Sequence, residues 1–175
     1  MTTISSNDRI TLRVPTPADV APLAELWSDP ETMQYIGAGE PWDEAKVRER
    51  IERAIVNQHS AGMCFWTVTD PAGVVMGQGG LVPIEFNGPE VELGYRLGRS
   101  FWGKGYATEI ARLSRDHAFG PLGLDRLVAV TYPENQASRR VLAKVGFRET
   151  GMSDVYYGVR CLAHELTRDM LGVDG

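Results

Sequence analysis

Residues 90–107 read Glu-Val-Glu-Leu-Gly-Tyr-Arg-Leu-Gly-Arg-Ser-Phe-Trp-Gly-Lys-Gly-Tyr-Ala. The first eight alternate cleanly, with Val91, Leu93, Tyr95 and Leu97 on one face of a strand and Glu92, Gly94 and Arg96 on the other. A Gly-rich turn follows, Trp102-Gly103-Lys104-Gly105-Tyr106-Ala107, and then a helical stretch from about Tyr106 to Phe119. A strand, a glycine turn and a helix start make a natural anion site. The first N–H groups of a helix have no partner within it, and the helix dipole adds partial positive charge. Gly103 and Gly105 carry no Cβ, so a pyrophosphate can approach the backbone closely. Arg96, Arg99 and Lys104 bring cationic charge nearby. Two glycines alone equally mark an ordinary tight turn.

Two other phosphate motifs fail on residues. A P-loop ends in Gly-Lys-Ser/Thr after a longer glycine spacing, and Thr108 is not adjacent to Lys104. A dinucleotide fingerprint wants a third glycine where Thr108 stands.

Outward from this stretch the pattern is mixed α/β. Residues 10–14 alternate as a half-buried strand. Thr16-Pro17-Ala18-Asp19 reads as the start of a helix running to about Trp27. Residues 28–42 hold Pro30, Gly37, Gly39 and Pro41 and are expected to form a loop, whose Met33, Tyr35, Ile36 and Trp42 pack on the core or line a pocket. Asp43 to Ser60 is helical, with Val47, Ile51, Ala54 and Ile55 on one face. Residues 63–69 and 74–84 are strands joined by the turn Asp70-Pro71-Ala72-Gly73. Residues 126–131 form a buried strand. A helix from about Asn135 to Val145 ends at Gly146, and residues 147–168 read as two strands with a turn near residue 158. The order is strand, two helices, three strands, helix, strand, helix and two strands, an α/β domain around one sheet of about seven strands.

The chain has 175 residues, 43% hydrophobic and 23% charged, with a net charge of −5. That length suits one domain able to bury its own core. The acidic balance argues against a nucleic-acid binder, and no run approaches the ~18 apolar residues of a membrane span. No apolar leader opens the sequence, so a cytoplasmic protein is expected. Cys64 and Cys161 read as small buried hydrophobes rather than a disulfide or nucleophile pair. His59, His117 and His164 show no metal-ligand spacing, so no metal is expected.

The stretch from Glu90 to Gly151 resembles the GNAT family of acetyl-CoA-dependent N-acetyltransferases. Its cofactor signature, Gln/Arg-x-x-Gly-x-Gly/Ala, aligns with Trp102 to Ala107, with Trp102 in the Gln/Arg position. That variant resembles the RimJ/RimL branch of ribosomal-protein N-terminal acetyltransferases. Glu92-Leu93-Gly94-Tyr95, Asn135-Gln136-Ala137-Ser138 and Leu142-Ala143-Lys144-Val145-Gly146-Phe147 resemble three further pieces of that branch. The resemblance implies a single domain over 1–175, with an acceptor side at 10–89, a cofactor core at 90–151 and C-terminal strands at 152–168. It implies a mostly antiparallel sheet with helices on both faces, its fourth and fifth strands splayed into a wedge. Acetyl-CoA would lie there, along the backbone of Tyr95, Arg96 and Leu97. Its pyrophosphate would meet Gly103, Lys104, Gly105, Tyr106 and Ala107, and Arg99, Lys104 or Arg140 would be its cationic partners. Asn135 and Ser138 would border it.

The implied reaction is direct attack of an amine on the acetyl thioester. It needs alignment of two substrates, an oxyanion donor, a base for the amine and an acid for the thiolate. Glu92 is the candidate base, with Glu85 and Glu90 behind it. The bland alternative for Glu92 is a strand-face carboxylate paired with Arg96. Ser138 is the acid carried over from the family and Tyr132 its backup, against readings of Ser138 and Asn135 as ordinary residues of a helix start. Tyr35, Trp42 and Glu85 are expected on the acceptor side, together with the region of Tyr156 and Tyr157. The net charge and Glu31, Glu40, Asp43, Glu44 and Glu85 suit a cationic amine, either a protein N-terminus or a small molecule. The sequence does not fix the oligomeric state; dimers are common in families resembling this one, which leaves a homodimer open. The competing function is a non-catalytic acyl-CoA-binding regulatory domain.

Overall fold

The computed structural model describes residues 1–86 and 88–172. Eight strands form one sheet: β1 (Thr3–Ser6), β2 (Thr11–Arg13), β3 (Phe65–Thr69), β4 (Val75–Pro83), β5 (Val91–Leu97), β6 (Arg126–Thr131), β7 (Arg148–Ser153) and β8 (Cys161–Thr167). Their spatial order is β1-β2-β3-β4-β5-β6-β8-β7. Every pairing is antiparallel except β5 with β6. The strand beyond the expected seven is β1, whose Thr-Ile-Ser-Ser carries a single large apolar residue and no readable alternation.

The helices are α1 (Val20–Trp27), α2 (Pro30–Met33), α3 (Glu44–Ala61), α4 (Tyr106–Phe119), α5 (Gln136–Lys144) and α6 (Arg168–Leu171). The single turn α2 interrupts the expected 28–42 loop. Pro30 occupies its first turn, and the Asp29 side chain accepts from Glu31 N at 3.2 Å, an ordinary start signal in an otherwise Gly/Pro-rich stretch. α3 begins as expected, Asp43 Oδ1 accepting from Lys46 N at 2.8 Å.

Helices cover both faces of the sheet. On the Leu93–Tyr95–Leu97 face Ile110 of α4 presses so closely on Gly79 that a Cβ there would lie 2.3 Å from its Cγ2. On the Glu92–Gly94–Arg96 face Leu26 of α1 packs on Gly98 just as tightly, at 2.5 Å. Val20, Leu23, Trp27, Met33, Val47 and Ile51 build a second core between α1, α2 and α3. Asp19 anchors that layer to the sheet. Its buried carboxylate takes both Arg13 guanidinium nitrogens, at 2.8 and 2.6 Å, and the Thr67 hydroxyl at 2.9 Å.

Candidate active site

The sheet is incomplete at its centre. β4 pairs with β5 over seven residues and β6 with β8 over six. β5 and β6 meet at one register position, Glu92 opposite Val128. Beyond it they diverge around a cavity of about 550 Å³, lined by Glu92 to Arg96, by Ala129 to Tyr132, and by Asn135 and Ser138 at the start of α5. This is the splay expected of the fourth and fifth strands, which β1 renumbers as fifth and sixth.

The glycine turn follows β5. Gly103 and Gly105 have φ of 73° and 84°, left-handed values that L side chains resist. A Cβ at Gly103 would meet no atom within 4 Å, and one at Gly105 would meet only Arg9 Nη1 at 3.9 Å. The glycines are therefore set by backbone handedness, and the first amides of α4 stand open. Three side chains brace the turn. Trp102 Nε1 donates to Leu97 O at 2.9 Å, Lys104 Nζ donates to Ser100 O at 2.9 Å, and Arg9 Nη2 donates to Lys104 O at 2.8 Å. Arg9 also stacks 4.4 Å from the Tyr106 ring centre and pairs with Glu109 at 2.5 Å. Arg9 is a lone cation nearly a hundred residues upstream, and no local pattern marks it.

Arg99 and Arg140 were the other cations expected at the phosphates. Arg99 pairs with Asp29 at 3.2 Å and Glu31 at 2.8 Å. Arg140 is exposed on α5 and does not line the cavity.

Glu92 lies at the apex of the wedge and is 8% exposed. It does not pair with Arg96. They stand four positions apart on the strand, about 13 Å, and Arg96 instead donates to Gln78 Oε1 at 2.9 Å, its opposite number on β4. The Glu92 partner is the hydroxyl of Tyr157, which donates to its Oε2. Burial pushes the Glu92 carboxyl up to about 7; the Tyr157 bond pulls it down and the Glu85 charge pushes it further up. Tyr157 and Glu85 are the two non-glycine residues with positive φ among those described, 56° and 53°. Each holds the other: Tyr157 N donates to Glu85 Oε1 at 2.6 Å and Glu85 N donates to Tyr157 Oη at 3.2 Å. Glu85 thus acts through Tyr157 and does not itself line the cavity. Glu90 is committed elsewhere, to Arg126 and, at 2.8 Å, to the Tyr156 hydroxyl.

Across the wedge Asn135 Oδ1 accepts from Ser138 N at 3.1 Å, the expected helix cap. The cap turns Ser138 toward β5, where its Oγ lies 2.9 Å from the Tyr95 hydroxyl, which also donates to Ser138 O at 3.2 Å. Burial raises the Tyr95 phenol well above its usual range, so it remains protonated. The Tyr132 hydroxyl donates to Gly37 O at 2.7 Å, and its ring sits 6.0 Å from Tyr35. These contacts latch the 35–42 segment over the cavity.

Tyr35 and Trp42 line the cavity as expected. The acidic residues expected on the acceptor side, Glu31, Glu40, Asp43, Glu44 and Glu85, do not line the cavity. Glu31 pairs with Arg99, Glu44 with Arg48 and Asp43 caps α3, while the charged side chains at that end of the cavity are Arg50, Arg53 and Arg96. Cys64 and Cys161 are free and buried. His117 lies edge-on to Trp66 at 5.3 Å, and His164 is 3.0 Å from the Thr131 hydroxyl. Among the described residues no group of three or more His, Cys, Asp or Glu side chains forms a metal site, and no helix is long and apolar enough to cross a membrane.

Known proteins resemble this chain in sequence and in fold. In Bacillus licheniformis, a protein named as the uncharacterized N-acetyltransferase p20 is 32% identical over 148 residues, which are 83% of this chain and 82% of its own. The crystal structure of an acetyltransferase from Agrobacterium tumefaciens superposes with a TM-score of 0.81 at 26% identity, covering 96% of this chain and 95% of that one. Mycobacterium smegmatis RimJ, solved in complex with CoA-disulfide, shares the fold at a TM-score of 0.77 and 22% identity, covering 98% and 92%. The family model for the acetyltransferase (GNAT) domain matches residues 9–148. The chain belongs to the GNAT acetyltransferase family, whose members take their acetyl group from acetyl-CoA.

Proposed function

We propose that this protein transfers an acetyl group from acetyl-CoA to a primary amine within the β5–β6 wedge. The observation that carries the reading is the divergence of two central strands after one register pair, with a buried carboxyl at its apex. The residues fit the donor. The open amides at the start of α4, with no atom within 4 Å of a Cβ at Gly103, leave a cradle for a pyrophosphate. The unpaired edge of β5 from Leu93 to Leu97 offers its N–H and C=O groups to the pantetheine amides. When bound, acetyl-CoA supplies an acetyl group already activated as a thioester.

The remaining steps fall to the chain. Glu92 accepts the proton of the attacking amine, directly or through water. An α-amino group titrates near ~8, and a carboxyl raised to about 7 is matched to it. A backbone N–H between Gly94 and Leu97 stabilises the oxyanion. Ser138 Oγ, bonded to the Tyr95 hydroxyl, delivers a proton to the departing sulfur. Tyr132, as donor to Gly37, positions the acceptor loop.

The Trp102-Gly103-Lys104-Gly105 turn and the shared fold of RimJ support placing the chain near the ribosomal-protein branch. A test is thiol release from acetyl-CoA with a panel of amines and peptides. Release that depends on Glu92 and Ser138 supports the reading. Tight coenzyme A binding without release to any acceptor favours the regulatory alternative.

A further inference from the structure

Arg96 sits on the wall of the cavity in a setting that lacks a counter-charge. Its guanidinium lies 4.4 Å from the Trp42 ring centre, 5.1 Å from Trp27 and 5.9 Å from Phe65, and its hydrogen-bond partner is the neutral Gln78 amide. Among the described residues no carboxylate comes within 4.0 Å of it. Arg50, on α3, stacks on Trp42 at 5.3 Å, so the indole lies between two cations. Arg53, one turn further along α3 and paired with Glu49 at 3.1 Å, lines the same cavity. These like charges are felt: burial and then the Arg50 charge depress the Arg96 pKa, and burial and then the Arg53 charge depress that of Arg50. The acidic residue lining the cavity, Glu92, lies about 13 Å away at the other end of the same strand face.

An arginine carried into an aromatic pocket without a carboxylate is a costly arrangement. It is relieved by an anion, and the planar guanidinium fork matches the two oxygens of a carboxylate or phosphate. We infer that the acetyl acceptor is an anionic amine, which presents its amino group toward Glu92 and a carboxylate or phosphate to Arg96, Arg50 and Arg53 against Trp42. This rests on the transferase reading and names its substrate class. It also departs from the cationic acceptor suggested by the acidic residues, of which Glu31 and Glu44 stand in ion pairs and Asp43 caps α3.

The test pairs amines that carry an anionic group with counterparts that lack it: 4-aminobutyrate with 4-aminobutanamide, O-phosphoethanolamine with ethanolamine, and the C-terminally amidated peptide Ser-Glu-Glu with amidated Ser-Gln-Gln. Binding to the coenzyme A complex is measured by calorimetry, and thiol release from acetyl-CoA is measured in parallel. The pair that responds tells a carboxylate from a phosphate and a free amine from a peptide. At least one anionic member is expected to exceed its counterpart roughly ten-fold or more in affinity and in kcat/KM. Arg96→Gln is expected to bring that ratio close to one. Arg53→Gln, which alters a half-exposed helix position and spares the core, is expected to lower it several-fold. Equal behaviour within every pair overturns the inference and leaves the transferase intact. Arginine-dependent anion binding without thiol release from any amine overturns the transferase reading and leaves the anion subsite standing.

Discussion

Tyr157→Phe isolates the environment of the candidate base. The substitution deletes the hydroxyl that donates to Glu92 Oε2 while keeping a ring to fill the cavity wall. Burial already holds the Glu92 carboxyl at about 7, and the Tyr157 bond opposes that rise. A hydrogen bond to a charged group contributes about 1.5–3 kcal/mol, which at 1.36 kcal/mol per unit is about 1–2 pKa units. The variant should therefore titrate near ~8–9. At pH 7 the ionised fraction falls from about one half to between about a tenth and a hundredth, so base-dependent turnover drops about 5- to 50-fold and recovers toward pH 9. Carboxyl-carbon NMR of isotopically labelled glutamate reads the shift without any acceptor, with Glu92→Gln identifying the resonance. Glu85→Gln should move it the other way, because it removes a neighbouring negative charge. An unshifted Glu92 titration in Tyr157→Phe, or a titration near 4.5 in the wild type, would refute the reasoning.

The same raised carboxyl makes a stability prediction. The folded state keeps the proton more tightly than the unfolded chain, so Glu92 favours folding below about pH 4.5 and loses up to about 3 kcal/mol of that advantage as pH rises to about 7, a decline that Glu92→Gln should abolish in urea titrations. Ser138→Ala should lower kcat by at least about ten-fold while changing coenzyme A affinity little, and unchanged turnover removes Ser138 from the reaction. Gly105→Val puts a β-branched residue at φ 84° beside the open amides, so a cost of about 1–2 kcal/mol in stability should accompany a much larger loss of coenzyme A affinity; wild-type affinity by calorimetry contradicts the cradle. Asp19→Asn leaves Arg13 buried without its carboxylate and should cost about 3–5 kcal/mol, a fall of roughly 10 °C in Tm by calorimetric scan.

The parts of the fold legible in sequence were those with a strong period or a punctuating residue. β5, α4 and β6 match their expected spans because alternation, a glycine turn and a buried apolar run each leave a local trace. β1 was missed because an edge strand of small polar residues has no period, and its pairing with β2 is a tertiary fact. In the site, Glu92, Tyr95, Asn135 and Ser138 were found because motifs place them on regular elements. Tyr157 was found only as a neighbourhood. Its role depends on a left-handed backbone at a residue that is not glycine, stabilised by Glu85 from seventy residues away, and no local pattern encodes that. Arg99 and Arg96 show the converse: a cation near a motif in sequence takes its partners from whatever the fold brings beside it, here Asp29 and Glu31 for one, Gln78 and an indole for the other.

The single register pair between β5 and β6 also bears on how the molecule opens. The sheet has an edge inside it, where backbone groups of β5 face a cavity in place of a neighbouring strand. Amide protons there should exchange with solvent as quickly as those of an outer strand, although β5 lies at the centre of the sheet. The β1–β5 and β6–β8 portions should behave as two cooperative blocks joined by α4, α5 and that one ladder position. Coenzyme A, lying along the inner edge like a strand added from outside, should slow exchange on both sides at once and merge the two blocks into one unfolding unit.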